Sequence, residues 1–199
     1  MKFVFDLDDT VCMTDEYSEE YINKFFKDNK LKFKQVKKIS RYADGKFDWN
    51  EEEAKDWYKN YGDKMMETFP CKPKAIDVLN TLHDLGHQVI IATARGTDWH
   101  KDPENSTMIW LKNNAIKYDK IFFGRFDKEQ ICLEVDADVF VDDDLDIVKN
   151  VANAFKDNTN KKVFLMNSAY NNQFDAGENI IRIFDFEDFL NKLKELNLI

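Results

Sequence analysis

The sequence predicts an α/β protein, a doubly wound and mostly parallel sheet with a helical segment inserted after its first strand. Three observations carry that reading. Short runs that are apolar on both faces recur along the chain, as expected of strands covered by helices on either side. Helical patterns alternate with these runs, which favours a parallel sheet with crossover helices. Residues 14–72 break the alternation, with helical patterns but no convincing buried strand.

The first strand is KFVFD (2–6). The inserted segment then offers DEYSEEYINKFFKDN and NEEEAKDWYKNYGDKMMETF, and in the second Asn50 and Glu53 have capping-box spacing. CKPKAIDVLNTLHDLG reads as a helix ending at Gly86 and leads into the strand QVIIAT (88–93). KDPENSTMIWLKNN opens with Asp102-Pro103, which suits a helix start, and KIFFG (120–124) is a weaker strand. The strand DVFVDD (138–143) precedes the helical LDIVKNVANAF, and KKVFLMN (161–167) and the weaker IIRIF (180–184) lead to the helical DFEDFLNKLKEL. The expected division is a core of residues 1–13 and 73–199 and a helical cap of residues 14–72. Ligands of such sheets bind at the carboxyl ends of the strands.

Composition narrows the function classes. With 199 residues, 43% of them hydrophobic, and 17 Phe, the chain can bury a sizeable core, which excludes disorder. A formal net charge of −9 argues against coating nucleic acid or an anionic membrane. Cys12, Cys71 and Cys132 are widely spaced and form no C-x-x-C pair, so reduced thiols and a cytoplasmic location are expected. His83 and His87 straddle Gly86 and do not make a metal cluster. No signal peptide precedes the first strand, and no apolar run approaches the ~20 residues of a membrane span.

The acidic strand ends point to chemistry. Asp6 and Asp8 sit two apart after the first strand, so in extended geometry their side chains leave on one side. A second acidic strand end, VFVDDDLD, carries Asp142, Asp143, Asp144 and Asp146. Carboxylates converging in one crevice call for a hard cation such as Mg²⁺, which prefers oxygen ligands. Thr93 ends another strand with Ala94 and Arg95 following, and Lys128 stands at a helix start; these groups suit a phosphate. Lys120 is a less well placed competitor for the lysine role.

The ordered set D-x-D-x-T, then Thr, then Lys, then D-D resembles the haloacid dehalogenase superfamily of aspartate-nucleophile phosphotransferases, whose core is Rossmann-like. Asp6, Asp8 and Thr10 match its first motif, Thr93 the second, Lys128 the third and Asp142–Asp143 the fourth. IIATARG, WLKNNAIKYDKIFFG and DVFVDDD look like its 5′(3′)-deoxyribonucleotidase-type branch. The resemblance implies a Mg²⁺-dependent phosphomonoesterase. Asp6 would be the nucleophile and Asp8 the acid and base. Mg²⁺ would be held by Asp6, Asp8 through its backbone carbonyl, and Asp142 or Asp143. Thr10, Thr93, Ala94, Arg95 and Lys128 would bind phosphate. Dehalogenases of the superfamily lack an Asp at the second position and transport ATPases carry Thr there, so Asp8 favours a phosphatase.

The cap would choose the substrate, expected to be a (deoxy)nucleoside monophosphate; Phe47, Trp49, Trp57, Tyr58 and Tyr61 give it a density of flat rings, with Phe47, Trp49 and Trp57 as candidate stacking rings. The run KFFKDNKLKFKQVKKISR, with eight basic residues and one acidic, could steer anions to the crevice. Asn167 or Tyr170 could border the site. Rival readings are a sugar phosphate or polynucleotide 3′-phosphate as substrate, a receiver-type phosphoacceptor, and a silent relative that only binds a metal. No membrane and no stable nucleic-acid complex are expected, and homodimerisation is left open.

Overall fold

The computed structural model describes residues 1–199, with the side chain of residue 43 outside the described set. One sheet contains β1 (Lys2–Phe5), β2 (Gln88–Ala92), β3 (Lys120–Phe122), β4 (Val139–Asp142), β5 (Lys162–Met166) and β6 (Ile180–Ile183). Their order is β3-β2-β1-β4-β5-β6. Every neighbouring pair is parallel, so the sheet is parallel throughout rather than mostly so. The helices are α1 (Thr14–Asp28), α2 (Glu51–Trp57), α3 (Asp63–Met66), α4 (Ala75–Asp84), α5 (Pro103–Asn113), α6 (Lys128–Glu134), α7 (Leu145–Phe155) and α8 (Phe186–Glu195). No helix among the described residues is long and apolar enough to cross a membrane.

The two-residue period of the strands divides the core. Phe3, Phe5, Val89, Ile91, Val139, Val141 and Phe164 pack on one face with Leu79 and Leu82 of α4, Trp110 of α5, and Phe186, Phe189 and Leu193 of α8. Val4, Ile90, Ala92, Phe140, Val163 and Leu165 pack on the other face with Ile131 of α6 and Val148, Val151 and Phe155 of α7. Runs that are apolar on both faces are the sequence image of this double covering. Helix ends follow local chemistry as well. The Asn50–Glu53 capping box is complete, Asp144 caps α7, Asp185 caps α8, and Gly86 leaves α4 at φ 83°, a conformation glycine adopts without strain.

Between β1 and α4 the chain forms α1, α2, α3 and connecting turns. Departure and return run side by side: Met13 N–H donates to the Pro70 carbonyl at 2.9 Å and Lys72 N–H to the Val11 carbonyl at 2.8 Å. The insert has its own aromatic cluster. Phe26 meets Phe33, Phe47 and Trp49 at centroid distances of 5.4, 5.4 and 5.2 Å. Trp57 meets Phe25 at 5.8 Å and Trp49 at 5.9 Å. Lys46, buried, ties its turn to α1 through Asp15 at 2.7 Å and Glu19 at 2.6 Å.

Candidate active site

The winding of the sheet reverses at β1, with β2 and β3 on one side and β4, β5 and β6 on the other. The crevice at the carboxyl ends of β1 and β4 is therefore the switch point where such sheets bind ligands. Asp6 follows β1, and its N–H donates to the Val141 carbonyl at 3.0 Å, which sets it beside Asp142 at the end of β4. Asp6, Asp142 and Asp143 are buried. One carboxylate oxygen of each lies within 4.8 Å of the others.

Lys128, the first residue of α6, reaches this cluster. Its buried Nζ donates to Asp6 Oδ1 and, at 2.8 Å, to Asp142 Oδ2. Lys120 lies on β3, half exposed, and faces Glu134 instead. Three carboxylates thus share one ammonium, and with all of them ionised two negative charges stay unmatched. The titration behaviour follows from that deficit. Burial pushes Asp6 up to about 8; Lys128 pulls the other way, while Asp142 and Asp8 add to the rise. Burial, with the neighbouring carboxylates of Asp9, Asp142 and Asp6, likewise raises Asp143 well above the usual range. Burial disfavours charge on Lys128, but Asp142 and Asp6 outweigh it and hold the ammonium protonated.

A divalent cation would supply the missing charge, and the all-oxygen donor set of Asp6, Asp142 and Asp143 fits Mg²⁺. The two acids at the end of β4 differ in what they have free. Asp142 Oδ1 accepts the Asp144 N–H at 2.8 Å and its Oδ2 is taken by Lys128. Asp143 Oδ1 accepts the Thr10 hydroxyl at 3.2 Å, and its other oxygen has no hydrogen bond among the described residues. The Asp143 carbonyl accepts the Tyr170 hydroxyl at 2.7 Å and Asn171 Nδ2 at 2.8 Å, which fixes the loop after β4. Asn167 is engaged elsewhere, by Arg182 at 3.0 Å.

Asp8 stands apart from the cluster in a pair of its own. Arg95 Nε and Nη2 donate to its two oxygens at 2.9 and 2.7 Å, and the Thr14 hydroxyl donates at 2.6 Å. Burial pushes Asp8 up, but the Arg95 charge and the Arg95 and Thr14 hydrogen bonds outweigh it and hold Asp8 at about 2. Arg95 is itself anchored by the Thr107 hydroxyl of α5 at 3.1 Å. Asp9, at φ 54°, turns the chain, and its Oδ1 accepts the N–H groups of Thr14 and Asp15 at 3.0 and 2.8 Å to start α1.

The crevice, about 330 Å³, brings together Asp6, Asp8, Ala94, Arg95, Lys128, Asp142 and Asp143 from the sequence-predicted set. That is room for a drug-sized ligand or a nucleotide. Other predicted residues do not line it. Thr10 is fully buried with its hydroxyl spent on Asp143, and Thr93 is fully buried with its hydroxyl accepting the Arg95 N–H at 3.2 Å. Phe47, Trp49 and Trp57, expected as stacking rings, do not line the crevice; they pack in the aromatic cluster of the insert. Tyr42, Tyr58, Trp99 and Phe126 present rings to the crevice instead, alongside His100. Trp99 and His100 had a legible signal, since they follow Thr93-Ala94-Arg95 in a loop leaving a strand's carboxyl end. Tyr58, one of the insert's flat rings noted in the sequence, lines the crevice from the first residue of a π-helical turn, Tyr58–Gly62. Arg41 is the one member of the basic run at this mouth, donating to Asp144 and, at 3.1 Å, to Asp146 of α7.

No protein-family model matches the chain. A "putative nucleotidase" of Oceanobacillus iheyensis is 29% identical over 201 residues, 97% of this chain and 100% of the relative. A "putative nucleotidase" of Bacillus cereus is 30% identical over 153 residues, 72% of this chain and 76% of the relative. In fold, the chain is similar to the "putative HAD-hydrolase YfnB" of Bacillus subtilis, solved bound to magnesium, at a TM-score of 0.63, 13% identity and coverage of 97% and 98%. The chain belongs to the same family as these "putative nucleotidase" relatives, and its fold is that of haloacid dehalogenase hydrolases. The strand-end order of a haloacid dehalogenase core is met in space: Asp6 and Asp8 after β1, Thr93 after β2, Lys128 after β3, and Asp142 and Asp143 at the end of β4.

Proposed function

We propose that this phosphatase hydrolyses nucleoside monophosphates with Mg²⁺ and a phosphoryl group carried in turn by Asp6. The observation that carries the reading is the buried trio Asp6, Asp142 and Asp143 facing a single ammonium at the sheet's switch point. Asp6 and Asp143, each with an oxygen to spare, would hold Mg²⁺ together with the Asp8 carbonyl, and Asp142 would anchor Lys128. When bound, Mg²⁺ supplies charge neutralisation for the phosphoryl group and for the attacking carboxylate.

The chain's own residues do the rest. The Asp6 carboxylate attacks phosphorus in line and forms an acyl phosphate as the ester oxygen leaves. Lys128 stays protonated and aimed at Asp6, so its charge meets the phosphoryl oxygens where negative charge develops. Asp8, ionised by its Arg95 pair, is poised to take a proton from the water that attacks the acyl phosphate. Its other task, protonating the leaving oxygen, requires the Arg95 pair to loosen. Residues 14–72 would act as the cap, with Tyr42 and Tyr58 offering rings from the insert and Trp99 and Phe126 from the core loops. The names of the two relatives and these four rings favour a nucleobase-bearing ester.

A phosphatase panel over nucleoside monophosphates, sugar phosphates and 3′-phosphorylated oligonucleotides, with Mg²⁺ and in chelator, tests the reading. Mg²⁺-dependent turnover highest on nucleoside monophosphates is expected. A preference for sugar phosphates overturns the substrate, and full activity in chelator after dialysis overturns the metal.

A further inference from the structure

A second pair of polar groups, unused in the chemistry above, stands at the wall of the same crevice, His100 lining it and Asp63 behind. His100 lies in the loop between β2 and α5, and Asp63 begins α3 in the insert. His100 Nδ1 stands 3.4 Å from Asp63 Oδ1. Both atoms are sealed from solvent, and neither has a hydrogen-bond partner among the described residues, the 3.4 Å approach being close but not aligned as a hydrogen bond. Buried polar atoms are rarely left unpaired, so each is the other's natural partner. Asp63 Oδ2 accepts the Asp102 N–H at 2.8 Å, which keeps Oδ1 turned to the ring. Gly62 makes the approach possible: a Cβ there would stand 2.8 Å from both Nδ1 and Cε1 of His100. The π-helical turn Tyr58–Gly62 delivers this glycine and Asp63 to the ring, and turns of that kind recur at functional sites. Tyr58 closes the ring from the side at 5.7 Å.

This arrangement fixes what His100 can offer a ligand. A carboxylate only accepts, so Asp63 keeps the imidazole proton on Nδ1. Burial lowers the pKa of His100, against the pull of Asp63 and Asp8, and favours the neutral ring. Nε2 then carries a lone pair. It has no protein donor among the described residues, and the ring lines the crevice. A dianionic phosphoryl group has no proton to donate there, whereas the sugar of a nucleotide carries hydroxyls.

We propose that His100, positioned by Asp63, accepts a hydrogen bond from a sugar hydroxyl of the substrate through Nε2, and so makes the enzyme sensitive to the hydroxyls of its ester's alcohol half. The inference rests on the nucleotide reading above. Its test is kcat and KM for the 5′-monophosphates of adenosine, 2′-deoxyadenosine and 2′,3′-dideoxyadenosine, with p-nitrophenyl phosphate as an ester without a sugar. The wild-type enzyme should lose on the order of tenfold in kcat/KM at one step of the nucleotide series, chiefly through KM, as for one lost hydrogen bond.

His100→Phe removes the acceptor. Asp63→Asn keeps its oxygen on the Asp102 N–H and turns an NH₂ toward Nδ1, which moves the imidazole proton to Nε2. Both variants should flatten the series, bringing the ratio across that step toward unity. A merely structural role lowers all substrates together, lowers the melting temperature and leaves the ratio as in the wild type, and that result overturns the proposal. A wild-type series without a step overturns it too. Turnover of p-nitrophenyl phosphate with none of the nucleotides rejects the nucleotide reading itself, a result distinct from nucleotide turnover that ignores the hydroxyls.

Discussion

Replacing Asp6 with Asn should stabilise the metal-free protein at alkaline pH while removing its turnover. Burial raises Asp6 from 3.8 to about 8. Between those values the folded state holds a proton that the unfolded chain has released, so wild-type stability falls as pH rises from about 4 to about 8. At ~1.4 kcal/mol per unit, the cost of ionising Asp6 in the fold approaches about 6 kcal/mol at pH 8. Asn escapes that cost but weakens the hydrogen bond from Lys128, a loss on the order of 1–3 kcal/mol for a charged group. Lys128 keeps Asp142 at 2.8 Å, so its ammonium is not stranded. The balance favours Asn by roughly 3–5 kcal/mol at pH 8, or on the order of ten degrees of melting temperature for a domain of this size. Thermal unfolding followed by circular dichroism, in chelator at pH 5 and pH 8, reads the difference, which should be large at pH 8 and small at pH 5. A variant less stable than wild type at pH 8 would refute the reasoning, because Lys128 attraction would then outweigh the burial of excess negative charge.

Other expectations follow from the same geometry. Mg²⁺ should raise the melting temperature more at pH 8 than at pH 5, since the cation competes with protons for Asp6 and Asp143; an equal rise at both would contradict the raised carboxylates. Arg95→Met should raise the pKa of Asp8 and move the acidic limb of the kcat profile, recorded with Mg²⁺, to higher pH; an unmoved limb would show that Arg95 does not govern Asp8. Trp57→Ala should cost ~3–5 kcal/mol of stability as a cavity in the insert. Trp57→Phe should cost far less, because the indole N–H is buried without a partner and its removal relieves that penalty. Equal stability of these two variants, by urea unfolding, would rule out packing as the role of Trp57.

Much of this architecture was legible in the sequence because strands buried on both faces leave an unambiguous apolar signature, as in Phe3-Val4-Phe5 and Val139-Phe140-Val141. The acidic strand ends were legible for a related reason: carboxylates two or fewer apart at the end of an apolar run have few structural uses. The insert was harder. Its rings are dense in the sequence, and density does not tell which ring fills the interior and which meets solvent. Phe47 and Trp57 went inward against Phe26 and Phe25 of α1, whereas Tyr58, the next residue after Trp57, lines the crevice. Thr10 and Thr93 show a further limit. Motif position located them at the site, but whether each hydroxyl meets a ligand or braces a neighbour depends on side-chain packing, and here both brace neighbours.

The central claim, that Asp6 carries the phosphoryl group, is tested most directly by mass spectrometry of the Asp8→Asn variant after acid quench during turnover with Mg²⁺. Removing the base that activates water should let the acyl phosphate accumulate, and the peptide holding Asp6 should gain the mass of one phosphoryl group while the same peptide of an Asp6→Asn, Asp8→Asn double variant stays unmodified. A phosphoryl group found on another residue, or Asp8→Asn turnover with no covalent adduct at any quench time, would contradict the account.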